Sequence, residues 1–279
     1  MANVFVTGSS SGIGEAAALH LDRLGHRVFA GVRRDEDADA LRAKADGSLT
    51  PVRCDVSDAG SVTSALAQIA DAVGDAGLDG LVNNAGVARA GPLEHLTIDE
   101  WRDQFEINVF GQVAVTKAAL PLIRSATGRI CFVGSVSGRL GNALMGPYSG
   151  SKFAIEGIAQ ALRAELRPWG IAVSVVEPGP VKTPIWSKAE SYADEVESRL
   201  GPEATEQYRD QIDTARKGVS VNQRIGVSTD KTTAAIEHAL LAPRPKHRYL
   251  VGVPAKAIGT ATRLLPDRVL DLLTAAVGP

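Results

Sequence analysis

The chain has 279 residues, 44% of them hydrophobic and 22% charged, and a net charge of −2 at pH 7; this is the make-up of a globular protein long enough to bury a large core. The near-zero balance leaves no electrostatic case for nucleic acid or an anionic membrane as a main partner. Two isolated cysteines, Cys54 and Cys131, give no disulfide framework, and five scattered histidines (His20, His26, His95, His238, His247) give no zinc spacing, so no metal is expected.

From the first residues, MANVFVTG, the chain enters a strand pattern with no basic and then long apolar segment, so no signal peptide is expected. No apolar run approaches the ~18–20 residues of a membrane span, and a cytoplasmic protein is the default expectation. Apolar runs then alternate with helical patterns. Strands are predicted at 3–7, 27–32, 50–54, 78–83, 129–135, 171–177 and 248–252. Helices are predicted at 12–24 with Gly25 as a stop, near 35–45, from an Asp58 cap to about 73, at 97–124 and at 147–167. Short continuous apolar strands separated by helices mark a parallel sheet covered on both faces. Right-handed crossovers make that a doubly wound α/β sheet, a Rossmann fold, and no linker or repeat divides residues 1–279, so one domain is expected. Residues 184–217 break the rhythm as a helical insertion, placed near the carboxyl ends of the strands where ligands bind. Residues 254–276 read as one amphipathic helix suited to packing, subunit contact or pocket closure, with a membrane surface as a weaker option.

After the first strand comes Thr7-Gly8-Ser9-Ser10-Ser11-Gly12-Ile13-Gly14, leading into a helix. Glycines permit a tight turn and close backbone approach to a pyrophosphate, and the helix start offers free N–H groups and positive dipole charge. No Lys-Ser/Thr follows, which disfavours an NTPase loop, while methyl-donor enzymes carry similar glycine loops.

Further motifs follow at set intervals: Asn83-Asn84-Ala85-Gly86 after the fourth strand, Asn108 in the next helix, and Ser135 at the end of the fifth strand. Tyr148-Ser-Gly-Ser-Lys152 then opens a helix, and Pro178-Gly179-Pro180-Val181-Lys182-Thr183 follows the sixth strand. Together with the TGxxxGxG loop, this set resembles the short-chain dehydrogenase/reductase family. SKFAIEG (151–157), GPVKTP (179–184) and VRR (32–34) look most like its 17β-hydroxysteroid and retinol dehydrogenase branch. The resemblance implies an oxidoreductase that moves a hydride between a nicotinamide cofactor and an alcohol/carbonyl pair.

Tyr148 and Lys152 stand one turn apart on one helix face, ~6 Å along the axis. A free phenol has a pKa of ~10 and is a poor base near neutrality, and a neighbouring ammonium lowers it. Tyr148 can then act as general acid/base while Ser135 holds the substrate oxygen. The resemblance further implies that Lys152 binds the nicotinamide ribose and that Asn108 holds a water in a proton relay. It implies that Gly8, Ser10, Ser11, Gly12, Ile13 and Gly14 cradle the pyrophosphate, and that Asp55 with Val56 meets the adenine. Asn83, Ala85 and Gly86 would line the adenosine ribose, and Thr183 the carboxamide, with Pro178, Gly179 and Val181 shaping that pocket.

The second strand ends Gly31-Val32-Arg33-Arg34. Val32 stands where a carboxylate would select NAD, and Arg33 can fork onto a 2′-phosphate, so NADP(H) is the expected cofactor. Asp35 and Asp37 dilute the local positive charge and keep NAD(H) open. Candidate pocket residues are Val87, Leu93, Leu140, Ala143, Leu144, Met145, Ile185, Trp186, Tyr192 and Val196, with Arg89 as a solvent-facing outlier. Such a lining suits a hydrophobic alcohol or ketone, whether steroid, retinoid or another bulky carbonyl compound. Two other readings stand beside the enzyme: a dinucleotide-binding sensor without turnover, and a methyl-donor enzyme. By resemblance, pairing through the helices at 97–124 and 147–167 makes a homodimer or homotetramer.

Overall fold

The computed structural model describes residues 1–277. Seven strands form one sheet: β1 (Asn3–Val6), β2 (Arg27–Val32), β3 (Thr50–Arg53), β4 (Gly80–Asn83), β5 (Arg129–Val133), β6 (Ala172–Pro178) and β7 (Arg248–Val251). Their order is β3-β2-β1-β4-β5-β6-β7 and every pairing is parallel. All seven expected strands are present, and the doubly wound fold is confirmed.

Both faces of the sheet are buried, which is why the strands read as continuous apolar runs. In β1, Phe5 packs beneath one layer while Val4 and Val6 pack beneath the other; in β5, Ile130 and Phe132 oppose Cys131 and Val133 in the same way. One layer comprises α1 (Gly12–Arg23), α2 (Asp35–Arg42) and α10 (Thr229–Leu241); the other is built on α3 (Ala59–Val73), α5 (Gln112–Ala126) and α6 (Gly146–Leu166). Asp58 caps α3 as expected, accepting the N–H of Gly60 at 2.8 Å and of Ser61 at 3.3 Å. Both cysteines are buried in these cores, and burial pushes their thiols up to about 12.

Four departures from the sequence expectation matter. The helix over 97–124 is α4 (Ile98–Phe105) and α5 joined by a π-helical turn, Glu106–Gly111. Helix α10 was not anticipated; it buries Ile236, Ala239 and Leu240 against α1 and the sheet. The insertion becomes α7 (Ile185–Arg199), α8 (Pro202–Gln207) and α9 (Arg209–Ile225), so it runs past residue 217. The C-terminal segment is two helices, α11 (Val253–Leu264) and α12 (Asp267–Val277). Pro266 separates them: it forces Leu265 into an extended conformation (ψ 142°) that ends the first helix. No helix among the described residues is long and apolar enough to cross a membrane.

The strand order reverses between β1 and β4, and the loops that follow these strands flank one crevice at the carboxyl edge of the sheet. Thr7 N–H donates to Val82 O at 3.0 Å, and Asn84 Nδ2 donates to the carbonyls of Thr7 and Gly8, both at 3.0 Å. These bonds lock the two loops together.

Candidate active site

The glycine loop is shaped by close approach. Gly8 lies at φ +65°, and a Cβ there would sit 2.7 Å from Ala85 Cα; at Gly14 a Cβ would collide with the Gly8 carbonyl and the Asn84 amide. Only glycine fits either place, and the bare backbone leaves a cradle at the start of α1. Ser11 is the N-cap residue but its side chain makes no capping bond, so the first-turn N–H groups remain for a ligand. Thr183, in the loop after β6, reaches over the cradle: a Cβ on Gly12 would lie 3.2 Å from Thr183 Cβ. Asn83 Oδ1 and Gln112 Oε1 are buried acceptors without a hydrogen-bond partner among the described residues. Bare backbone, open helix start and orphaned acceptors together fit a dinucleotide.

The remaining positions expected to meet a dinucleotide ring this crevice. Asp55 Oδ1 accepts Ser57 N–H and Oγ–H, which fixes its carboxylate just beyond β3. Val56 is buried against Gly111, and Gly86 approaches Asn108 Oδ1. Ala85 N–H donates to Thr7 Oγ1 at 3.1 Å, and its carbonyl accepts Gln112 Nε2 at 3.0 Å. Pro178 closes β6, Gly179 N–H donates to Val251 O, and the buried Val181 bridges to Val227. Ser10 and Arg33 are exposed and Ile13 is half-buried. Arg34 is held by Asp37, whereas among the described residues no ion pair engages Arg33.

Ser135, Tyr148, Lys152 and Asn108 converge beside the cradle. Ser135 follows β5 and its Oγ accepts Ser137 N–H at 3.1 Å, capping a short 3-10 turn, Val136–Gly138. That turn rests on α6: a Cβ on Gly138 would lie 2.9 Å from the Lys152 carbonyl oxygen. Pro147 in the first turn of α6 presets the helix that presents Tyr148. Lys152 Nζ donates to Val133 O at 2.8 Å and lies 5.7 Å from the centre of the Tyr148 ring. Burial lowers the ammonium to about 8. Burial likewise raises the Tyr148 phenol, and the neighbouring Ser135 hydroxyl pulls it the other way. The expected lowering of the phenol by Lys152 is therefore not met here: the ammonium turns to a backbone carbonyl, and desolvation dominates.

Asn108 is fully buried in the π-helical turn. Its Oδ1 accepts Val87 N–H at 2.8 Å, and its Nδ2 donates to Val87 O at 3.0 Å and Ser151 Oγ at 3.1 Å. Such turns widen a helix and recur at functional sites. Sequence reasoning missed the partners of this network. Gln104 accepts Arg89 N–H and donates to Val87 O, and Ser151 donates to Tyr148 O at 2.7 Å. Their signal was a polar side chain on a helix face that otherwise packs inward.

The short chain dehydrogenase family profile matches residues 2–194. The chain belongs to the short-chain dehydrogenase family. It is 37% identical over 271 residues to an NADPH-dependent 3-dehydrocapnine reductase of Ornithobacterium rhinotracheale, covering 95% of this chain and 93% of that protein. It is 36% identical over 285 residues to retinol dehydrogenase 5 of Mus musculus, covering 99% and 88%. A crystal structure of a short-chain dehydrogenase from Streptomyces avermitilis superposes with a TM-score of 0.77 at 29% identity, covering 98% of this chain and 95% of that one. This short-chain dehydrogenase is accordingly an NAD(P)(H)-dependent oxidoreductase acting on CH–OH groups.

The dehydrogenase also carries a narrow cavity of about 70 Å3 between the loop 90–92, Leu144, Met145 and the roof helices α7 and α9. Of the expected pocket residues it gathers Leu144, Met145, Trp186 and Val196; Val87, Leu93, Leu140, Ala143, Ile185 and Tyr192 lie outside its lining. Leu144 adopts φ +62°, an uncommon conformation for a bulky residue, with its carbonyl accepting Gly91 N–H at 2.8 Å. Leu93 points outward, 63% exposed. Tyr192 serves a clasp instead: its hydroxyl donates to Glu100, which also accepts from Arg199, and Arg89 lies 4.6 Å above its ring. Arg89 is therefore no solvent-facing outlier; Asp103 and Tyr192 hold it. Arg216 of α9 donates to Asp194 and Glu197 of α7, tying the two roof helices together.

Proposed function

We propose that this dehydrogenase moves a hydride between NADP(H) and a hydrophobic alcohol/ketone pair of the steroid, retinoid or bulky-carbonyl kind, with Tyr148 as general acid/base. The observation that carries the reading is the meeting of Ser135, Tyr148 and Lys152 at the edge of the dinucleotide cradle. The bound nicotinamide supplies the hydride chemistry. Ser135 orients the substrate oxygen and Tyr148 exchanges its proton. Lys152, freed from Val133 O, holds the nicotinamide ribose and offers the phenol a cation; its low pKa lets it pass a proton near neutrality. Asn108 anchors a water that links Lys152 to solvent. Tyr148→Phe is expected to abolish ketone reduction while leaving the NADPH dissociation constant, read by cofactor fluorescence, within about twofold of wild type. Retained turnover would overturn the assignment.

The NADP(H) preference is supported by Arg33, exposed just after β2 and in no ion pair among the described residues, while Asp37 is bonded to Arg34. Arg33→Ala should lower kcat/KM with NADPH by about tenfold or more and leave NADH use nearly unchanged; an equal loss refutes the preference. The hydrophobic substrate class is supported by the cavity lining and by the substrates named in relatives, among them retinol dehydrogenases and a 17-beta-hydroxysteroid dehydrogenase type 6 of Bos taurus. Bulky ligands occupy pockets of about 300 Å3 and more, so such a substrate needs more room than this cavity gives. A homodimer or homotetramer is supported by Phe110 and Phe153, both exposed on neighbouring helical segments.

A further inference from the structure

Four charged side chains, distant in sequence, meet behind the Ser135 turn. Glu177, at the end of β6, is wholly buried. Arg139 forks onto it: Nη2 donates to Oε1 at 3.1 Å and Nε to Oε2. Arg248 of β7 lays its Nε against Glu177 Oε1, and its Nη2 donates to Glu156 Oε2 at 2.6 Å. The side chains of Arg139 and Glu156 are only 11% and 12% exposed. The other oxygen of Glu156, Oε1, is buried without a hydrogen-bond partner among the described residues and lies against Gly134, where a Cβ would be 3.6 Å away.

The placement of this cluster relative to the proposed catalytic groups is specific. Gly134 immediately precedes Ser135, and Arg139 immediately follows the Val136–Gly138 turn that Ser135 caps, its N–H donating to Val136 O at 2.9 Å. Glu156 stands one turn beyond Lys152 and two beyond Tyr148 on the same face of α6. Glu177 sits one residue before Pro178, where the segment over the nicotinamide site begins. The cluster thus fastens the end of the Ser135 turn, through Arg139, to β6 and by way of Arg248 to α6, while Glu156 lies against Gly134 at the turn's start. Burying Glu177 and most of Arg139 and Glu156 is a poor route to stability, because apolar residues of like volume do as well or better. What fixed ion pairs supply is direction, since a forked guanidinium–carboxylate pair holds both partners in one geometry.

We propose that Arg139 and Glu177 are positioning residues that hold Ser135 Oγ at its working distance from the Tyr148 hydroxyl, with Arg248 and Glu156 bracing the pair against α6. The proposal rests on the reading of Ser135 and Tyr148 as catalytic. In reduction it acts on the step in which Ser135 steadies the carbonyl oxygen and Tyr148 delivers the proton.

The test compares wild type, Arg139→Met, Arg139→Lys and Tyr148→Phe, using NADPH with trans-1-decalone, androstenedione and all-trans-retinal. Rates are expressed per NADPH-binding site titrated by fluorescence. Arg139→Met is expected to lower kcat by about tenfold or more, with KM and the NADPH dissociation constant within about twofold of wild type. Arg139→Lys, which keeps the charge and loses the fork, should recover part of kcat. A second readout needs no substrate: in ultraviolet difference titrations against Tyr148→Phe, the Tyr148 phenol should titrate higher in Arg139→Met, having lost its Ser135 partner. Unchanged kcat per binding site, a change in KM alone, or an unmoved phenol overturns the proposal. If Arg139→Met does not fold, the same outcomes in Arg139→Lys decide. Turnover surviving in Tyr148→Phe sinks the catalytic reading itself, whereas a dead Tyr148→Phe beside a fully active Arg139→Met sinks the positioning role alone.

Discussion

Lys152 carries its ammonium where only 5% of the residue reaches water, and burial holds its pKa at about 8 against an ordinary 10.5. The sign of the resulting pH dependence follows. Below about 8 the group is charged in both folded and unfolded chains, and the folded state bears the full cost of desolvation. Between about 8 and 10.5 the unfolded chain alone keeps the proton, so this group's contribution to stability improves with pH, and above 10.5 the penalty is gone. Lys152→Met should therefore be more stable than the parent at pH 7 by roughly 2 kcal/mol in urea unfolding without cofactor, even after losing the bond to Val133 O. The advantage should close as pH approaches about 10.5, and a gap independent of pH refutes the buried-charge account. At this scale the sequence was informative where chemistry is local. Tyr148 and Lys152 share a helix face, and Gly8 to Gly14 make one continuous loop, so spacing alone exposes them. The Arg139–Glu177–Arg248–Glu156 cluster was not legible, because its members come from a loop turn, two strand ends and a helix, and only the packed sheet makes them neighbours. The electrostatics of Tyr148 were misjudged for a related reason: helix spacing places the ammonium near the ring but does not say which acceptor it turns to.

Helix α7 is held as a roof by polar contacts rather than by deep packing; of its residues only Ala189 and Val196 are buried. Glu100 is the fixed point. Burial pulls its carboxyl upward, but the Tyr192 hydroxyl, the Thr97 backbone N–H and Arg199 outweigh that and hold it at about 2. Its grip is complete above the ordinary carboxylate value of 4.5 and fades only as pH falls through about 2. Glu100→Gln weakens all these bonds, so backbone hydrogen exchange over Ile185–Arg199 should quicken by about fivefold or more while β5 keeps its protection. Unchanged exchange in α7 shows that the clasp does not hold the roof. Strands were read almost to the residue because both faces are apolar, and the Asp58 cap of α3 was read from its side chain. Helix α10 escaped because Thr229, Thr232 and Thr233 weaken the helical signal at its start, and its buried side exists only once α1 is beside it. The π-helical turn at Asn108 leaves no mark in apolar periodicity, since it inserts one residue into a pattern that stays helical on either side.

For the whole molecule, the two covered faces and the single reversal of strand order leave one crevice at the carboxyl edge, and everything with chemistry to do stands there. The opposite concern, what the outer helices meet, turns on Phe110 at 57% and Phe153 at 46% exposure. If these rings seat a second copy of the chain, Phe153→Glu should shift the protein to a monomer in sedimentation velocity, with the melting temperature of the remaining fold changed little; an unaltered sedimentation coefficient removes these helices from any subunit contact. Thr183 resting on Gly12 has its own consequence. The residue that meets the floor of the glycine cradle lies two positions before the first residue of α7. Floor and roof thus share one short stretch of chain, and whatever shifts Thr183 is felt at Ile185 as well.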